Sequence, residues 1–244
     1  MSGGVGPSSD IRLPKEEETI THTTAFTKEG TQKPQPRRGF FTFQQLNALA
    51  VIIVLSASGM VSIEDFGFVL FSLIYMYFIS RVAFPSIHSY SDPPVFGQRN
   101  RILSLYVFIG ALVGLFFPIA YIFEGIFEED KEGIKAAAPH VFLLAAQIFM
   151  EGVSFSGGFS LPIRVFVPVF YNSRRIFTIV EWFRSEINKV EMEYGGNTRR
   201  LYVGRALALA NMAFWCFNLF GFLLPVYLPK AFKIYYSSAH KAKD

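Results

Sequence analysis

Gln147 and Glu151 stand inside an otherwise apolar run, and with His140 and Leu144 they follow steps of four, three and four. On a helix such steps fall along one narrow stripe. A carboxylate at the centre of a bilayer costs about 2.5–3.5 kcal/mol on insertion scales, so Glu151 is expected to face protein, water or a partner and not acyl chains. Asn211 and Asn218, seven residues apart, make a second stripe on the last apolar run. If the two stripes meet, His140, Gln147, Glu151, Asn211 and Asn218 frame a polar intramembrane site for a proton, an ion or a small polar ligand. The competing expectation is a set of interhelical hydrogen bonds that hold the bundle, each contributing roughly 0.6–2 kcal/mol.

Other residue types capable of chemistry do not assemble. In "HSYSD", His88 and Asp92 are separated by three residues, one fewer than the HxxxxD acyltransferase spacing. His22 and His240 lie in the tails without acidic neighbours at metal-ligand spacing. Cys216 is the single cysteine, which excludes an intrachain disulfide and a multi-cysteine zinc site. No P-loop, dinucleotide-binding glycine pattern or GxSxG elbow occurs. No catalytic residue, metal or cofactor is therefore expected.

These polar residues must be positioned by a chain that is 51% hydrophobic, contains 28 Phe and has a mean hydropathy of +0.33. That is more apolar surface than a soluble domain of this length needs, and it points to lipid. The net charge of +4 is gathered in clusters between apolar runs, unlike the continuous basic face of a nucleic-acid binder. Residues 1–39 differ in kind: "SGGVGPSSD", "KEEET" and "KPQPRRG" hold too few apolar residues to offset the entropy of ordering, so a disordered tail is expected.

Residues 40–230 read as an all-α polytopic membrane bundle of about five transmembrane helices, followed by a short polar tail, 231–244. The spans expected are 46–61, 66–84 before Pro85, 103–123, one within 136–171, and 206–228 before Pro229. The third is free of charge, and its 21 residues at about 1.5 Å each match the hydrocarbon thickness. The stretch 136–171 is broken by Gly157, Gly158 and Pro162. Either its first part spans and 161–171 lies along the interface, or both parts insert as a re-entrant hairpin or a sixth crossing. Ser173 to Tyr194 reads as a separate cytoplasmic amphipathic helix, with Ile176, Ile179, Val180, Phe183, Ile187 and Val190 on one face and Gly195 and Gly196 ending it. With a cytoplasmic N-terminus, the charge bias of five spans puts the Arg174 to Arg205 cluster inside, and Lys131, Lys135 and the Lys-containing C-tail outside. Gly110 and Gly114, four apart, have the small-residue spacing that lets helices approach closely.

The stretch "LNALAVIIVLSASGMVSIEDFGFVLFSLIYMYFISRVAFP" resembles the opening hairpin of a plant family of small multi-pass membrane proteins of uncharacterised activity. The resemblance implies a plant endomembrane location and lends no site residues; the apolar spans by themselves fit an endomembrane or the plasma membrane. Two functional expectations follow. The first is a non-enzymatic scaffold or accessory component of a membrane complex, whose partners are the lipid bilayer and either a second copy or another membrane protein, with no nucleic acid. The second is a small transporter or channel-like protein built on Glu151. A lipid-modifying enzyme at the His88 and Asp92 loop ranks third.

Overall fold

Thr42 and Gln45 start the first helix by reciprocal capping: the Gln45 N–H donates to Thr42 Oγ1 (3.4 Å) and the Thr42 N–H to Gln45 Oε1 (2.7 Å). In the computed structural model, which describes residues 42–86, 95–96, 101–156, 158–189 and 198–241, every element is helical. Helix α1 (Phe43–Ala57) ends before Gly59, whose φ of +68° turns the chain. Ser62 caps α2 (Ile63–Val82) by accepting from the Asp65 N–H. Next, α3 (Arg101–Ala111), a π-helical stretch Leu112–Phe116 and α4 (Phe117–Phe127) form one continuous rod. Asp130 opens α5 (Lys131–Ser156) by accepting from the Gly133 N–H at 2.9 Å. A turn with Gly158 at φ +66° leads to α6 (Leu161–Asn188). The last rod joins α7 (Thr198–Cys216), a π-helical stretch Phe217–Tyr227 and α8 (Leu228–Lys241).

Four of these rods, 63–82, 101–127, 131–156 and 198–240, are long and apolar enough to cross a membrane. The outward faces of the first two carry Ile74, Phe78, Ile102, Phe108 and Phe116, all exposed. The first span expected from sequence is not among the four, because α1 has only 15 residues, too few for about 30 Å of hydrocarbon. The last does not stop at Pro225 or Pro229. Pro225 sits in the π-helical stretch, where the i−4 bonding that a proline disrupts is already suspended, and the helix continues to Lys241.

The largest correction concerns 161–188. These residues form one helix starting twelve residues earlier than Ser173, and α6 is the centre of the bundle rather than a surface element. Val165, Val167, Tyr171, Asn172, Arg175, Ile179, Trp182 and Glu186 are all fully buried. Residues 161–171 pack inside the bundle against α5, and α6 is not among the helices long and apolar enough to cross a membrane. The buried face also differs from the apolar one expected. It runs through Asn172, Arg175, Ile179, Trp182 and Glu186, whereas Ile187 is half exposed. Because α5 and α6 return on each other, Asp130 meets Arg200 at 2.8 Å and Lys189 at 3.6 Å. The 128–131 turn and the Arg-rich segment therefore share one end of the bundle, against the opposite-sides arrangement derived from charge bias. All described residues belong to one unit, Gly39–Asp244. His88, Asp92, the 1–39 tail, Gly157 and residues 190–196 lie outside the described residues.

Candidate functional site

Three turns of α5 and two of α6 bring the sequence-derived stripe to a residue that spacing alone does not single out. Gln147 Nε2 donates to Glu151 Oε1 at 2.7 Å, the i to i+4 contact expected on one helix face. The other end of the Gln147 amide accepts from Arg175 Nη2 of α6 at 2.5 Å. Acid and guanidinium are thus bridged by an amide, and no direct ion pair joins Glu151 to Arg175. The guanidinium lies over the Trp215 ring, 4.1 Å from its centroid, a contact that strengthens once desolvated. Arg175 is fully buried, yet its Nε and Nη1 have no hydrogen-bond partner among the described residues. Leaving donors of a buried cation unpaired is costly, so such groups call for an explanation.

The second stripe reaches Arg175 only through Trp215. Asn211 donates from Nδ2 to Val113 O and Leu207 O, both at 3.0 Å, and accepts from Trp215 Nε1 at 3.2 Å. Asn218 accepts from the Tyr106 hydroxyl at 2.7 Å. Both asparagines therefore bond to the α3–α4 rod, and neither bonds to Gln147 or Glu151. The π-helical stretch explains the pairing. It departs from the i−4 ladder, and the carbonyls of Val113 and Gly114 bond to side chains of neighbouring helices. His140 Nε2 lies 2.8 Å from Gly114 O. A carbonyl only accepts, so Nε2 carries the proton, and the buried Nδ1 is left as an acceptor without a partner. Gly110 and Gly114 do sit at a helix contact: a Cβ at Gly110 would fall 2.8 Å from Phe214 Cζ, and one at Gly114 2.6 Å from Trp215 Cζ2.

Around this core, Asn172 Nδ2 donates to Trp215 O (3.1 Å) while its Oδ1 has no partner, and Trp182 stacks on His140 with centroids 6.0 Å apart. Trp182 is also part of the wall of a groove of about 620 Å³ between α5 and α6, lined by Glu132, Lys135, Pro139, Thr178, Glu181 and Ser185 among others. Pro139 has no N–H, so the Lys135 carbonyl lacks its helical donor on that wall.

All of these residues fall within 41–236, the stretch matched by the family model described as Domain of unknown function (DUF7733). The chain belongs to this family. Nothing among the curated proteins and nothing among the solved structures matches it.

The DUF7733 domain holds a second polar cluster at the end of the bundle where α4, α5, α6 and α7 meet. Arg200 donates from Nε to Asp130 Oδ2 (2.8 Å) and from Nη1 to Tyr121 O (2.9 Å), and its guanidinium covers the Tyr121 ring at 4.1 Å. Tyr121 donates its hydroxyl to Glu186 Oε1 (2.8 Å), and Lys189 Nζ bonds both Glu186 oxygens at 3.1 and 3.2 Å. Burial alone would raise the Asp130 carboxyl. The Gly133 N–H, the Arg200 guanidinium and the Lys189 ammonium outweigh it and hold the group below its ordinary 3.8. No group of three His, Cys, Asp or Glu side chains placed to hold a metal exists among the described residues.

Proposed function

We propose that this protein is a multi-pass membrane protein that carries a ligand site for a small polar or ionic solute inside its bundle, of the transporter or channel-like class. One observation carries the reading: Arg175, buried at the centre, is held on one side by Gln147 and Glu151 and leaves two nitrogens unpaired. Ionisable residues at membrane depth are costly and mark substrate or ion pathways. The four long apolar rods, their exposed aromatic and aliphatic faces, and the resemblance to plant multi-pass proteins support the membrane setting. Within it, α6 is the polar helix that the apolar rods shield. Reconstituted vesicles test the site: Arg175→Gln should abolish solute-dependent signals and Glu151→Gln should abolish their pH dependence, while the protein stays folded and inserted. Unchanged flux and binding in both variants would remove the ligand reading.

A scaffold or accessory role stands second. It is supported by a cleft of about 740 Å³ between α4 and α7, lined by Phe117, Phe127, Val203 and Leu207 among others, open to a neighbouring helix. A stoichiometric partner retained in mild detergent, and lost on Val203→Trp, would favour it over transport.

A further inference from the structure

The donors and acceptors around Arg175 narrow the chemistry of the occupant. Resting on the ligand-site reading above, we infer that it is a small monovalent anion, a carboxylate or an oxoanion, taken up together with one proton on Glu151. The unpaired groups of the guanidinium are donors on a permanent cation, Nε and Nη1. Trp215 covers one face of the guanidinium at 4.1 Å, so further hydrogen bonds must come in its plane. Against these donors stand two neutral acceptors without partners, His140 Nδ1 and Asn172 Oδ1. Of the two sets the donors carry the charge and decide the class, and an anion answers them.

Charge balance then requires the proton. With Glu151 ionised, Arg175 and Glu151 cancel through the Gln147 amide, so an added anion would leave the core with a net negative charge, which a low-dielectric interior penalises. Protonating Glu151 restores neutrality and keeps the Gln147 contact, since a carboxyl oxygen still accepts from Nε2. The charged and titratable groups facing Glu151 are few. From α6 they are Arg175 and, beyond it, Tyr171, and from the π-helical stretch Tyr227, itself within range of Arg164. Helix α1 brings none, and Asp65 of α2 is already bound to Arg174 at 2.8 Å. His140 is tied through Nε2 to Gly114 O, and charging its ring would place a second cation beside Arg175.

The chain contains two tryptophans, Trp182 and Trp215, both buried against His140, so emission under tryptophan-selective excitation reports on this site. The full chain in detergent is titrated with acetate, nitrate and, as a neutral control, glycerol, at pH 5.5 and pH 8 and constant ionic strength. Acetate or nitrate should give a saturable emission change at pH 5.5 whose affinity weakens towards tenfold per pH unit above it, as one linked proton demands. Arg175→Gln should abolish the response and Arg175→Lys weaken it, with size-exclusion profiles unchanged. Glu151→Gln should bind with no pH dependence. Equal affinity at both pH values, or a wild-type slope in Glu151→Gln, overturns the proton coupling. A response to glycerol with none to either anion overturns the anion and leaves the site standing, and no response to any probe removes both.

Discussion

Two arginines of the same domain are set over aromatic rings at the same distance and finished differently. Arg200 stacks on Tyr121 at 4.1 Å and bonds a carboxylate directly; Arg175 stacks on Trp215 at 4.1 Å and reaches its acid only through an amide. In the bundle-end cluster both carboxylates are engaged: Asp130 receives the Gly133 N–H, Arg200 and Lys189, while Glu186 receives Tyr121 and Lys189. It ties the α4–α5 turn, the end of α6 and the start of α7. The central cluster is open, with unpaired nitrogens and oxygens on Arg175, His140 and Asn172. The difference sets a cluster whose carboxylates are all engaged beside one whose buried donors are left open, which is what the proposed ligand site accounts for, and the sharpest ways to break that division are substitutions on either side of it.

The largest effect is expected at the bundle end. Arg200→Met leaves two buried carboxylates, Asp130 and Glu186, to Lys189 and should cost about 3–5 kcal/mol, read from unfolding in a fixed detergent. Next, Gly114→Ala pushes a methyl into the Trp215 ring and should cost about 1–3 kcal/mol, with a shift in Trp emission because that ring also carries Arg175. An unchanged spectrum would show that the α3–α4 rod does not set the position of Trp215.

Acid should separate the two regions. The Asp130 carboxyl sits below its ordinary 3.8, so its contribution is complete above that value and is lost as pH falls through the lowered one. Thermal stability of the wild type should therefore drop below about pH 4, and Asp130→Asn should flatten that limb. The smallest effect belongs to the packing bonds: Asn218→Leu, which removes the Tyr106 contact, should cost roughly 0.6–2 kcal/mol and leave ligand responses intact.

The helices and one edge of the central cluster are legible in the chain, the pairing of the two arginines is not, and the missing part has a physical cause. The charge-free run 103–123 fills most of the α3–α4 rod, and the Gln147 to Glu151 step forms as helix geometry requires. Gly110 and Gly114 stand where their spacing places them, against Phe214 and Trp215. Arg175 and Glu186 read as surface residues because what buries them is remote: Gln147 lies 28 residues from Arg175, Tyr121 65 from Glu186 and Asp130 70 from Arg200. Periodicity assigns a face by residue type, and it assigns the wrong one where a polar residue is paired across helices. The π-helical stretches leave a weak signal too, since their mark is which carbonyls are freed, a property of the fold.

The central claim is that the charges around Arg175 serve a ligand and not the fold. The most direct test is the unfolding midpoint of Arg175→Met/Glu151→Gln beside wild type and Arg200→Met, in one detergent at pH 7. Removing both buried charges together should leave the midpoint at or above wild type, as replacing a buried ion pair by neutral side chains commonly does, while Arg200→Met falls well below it. A double variant that melts as low as Arg200→Met would contradict the account and return Arg175 to the framework of the bundle.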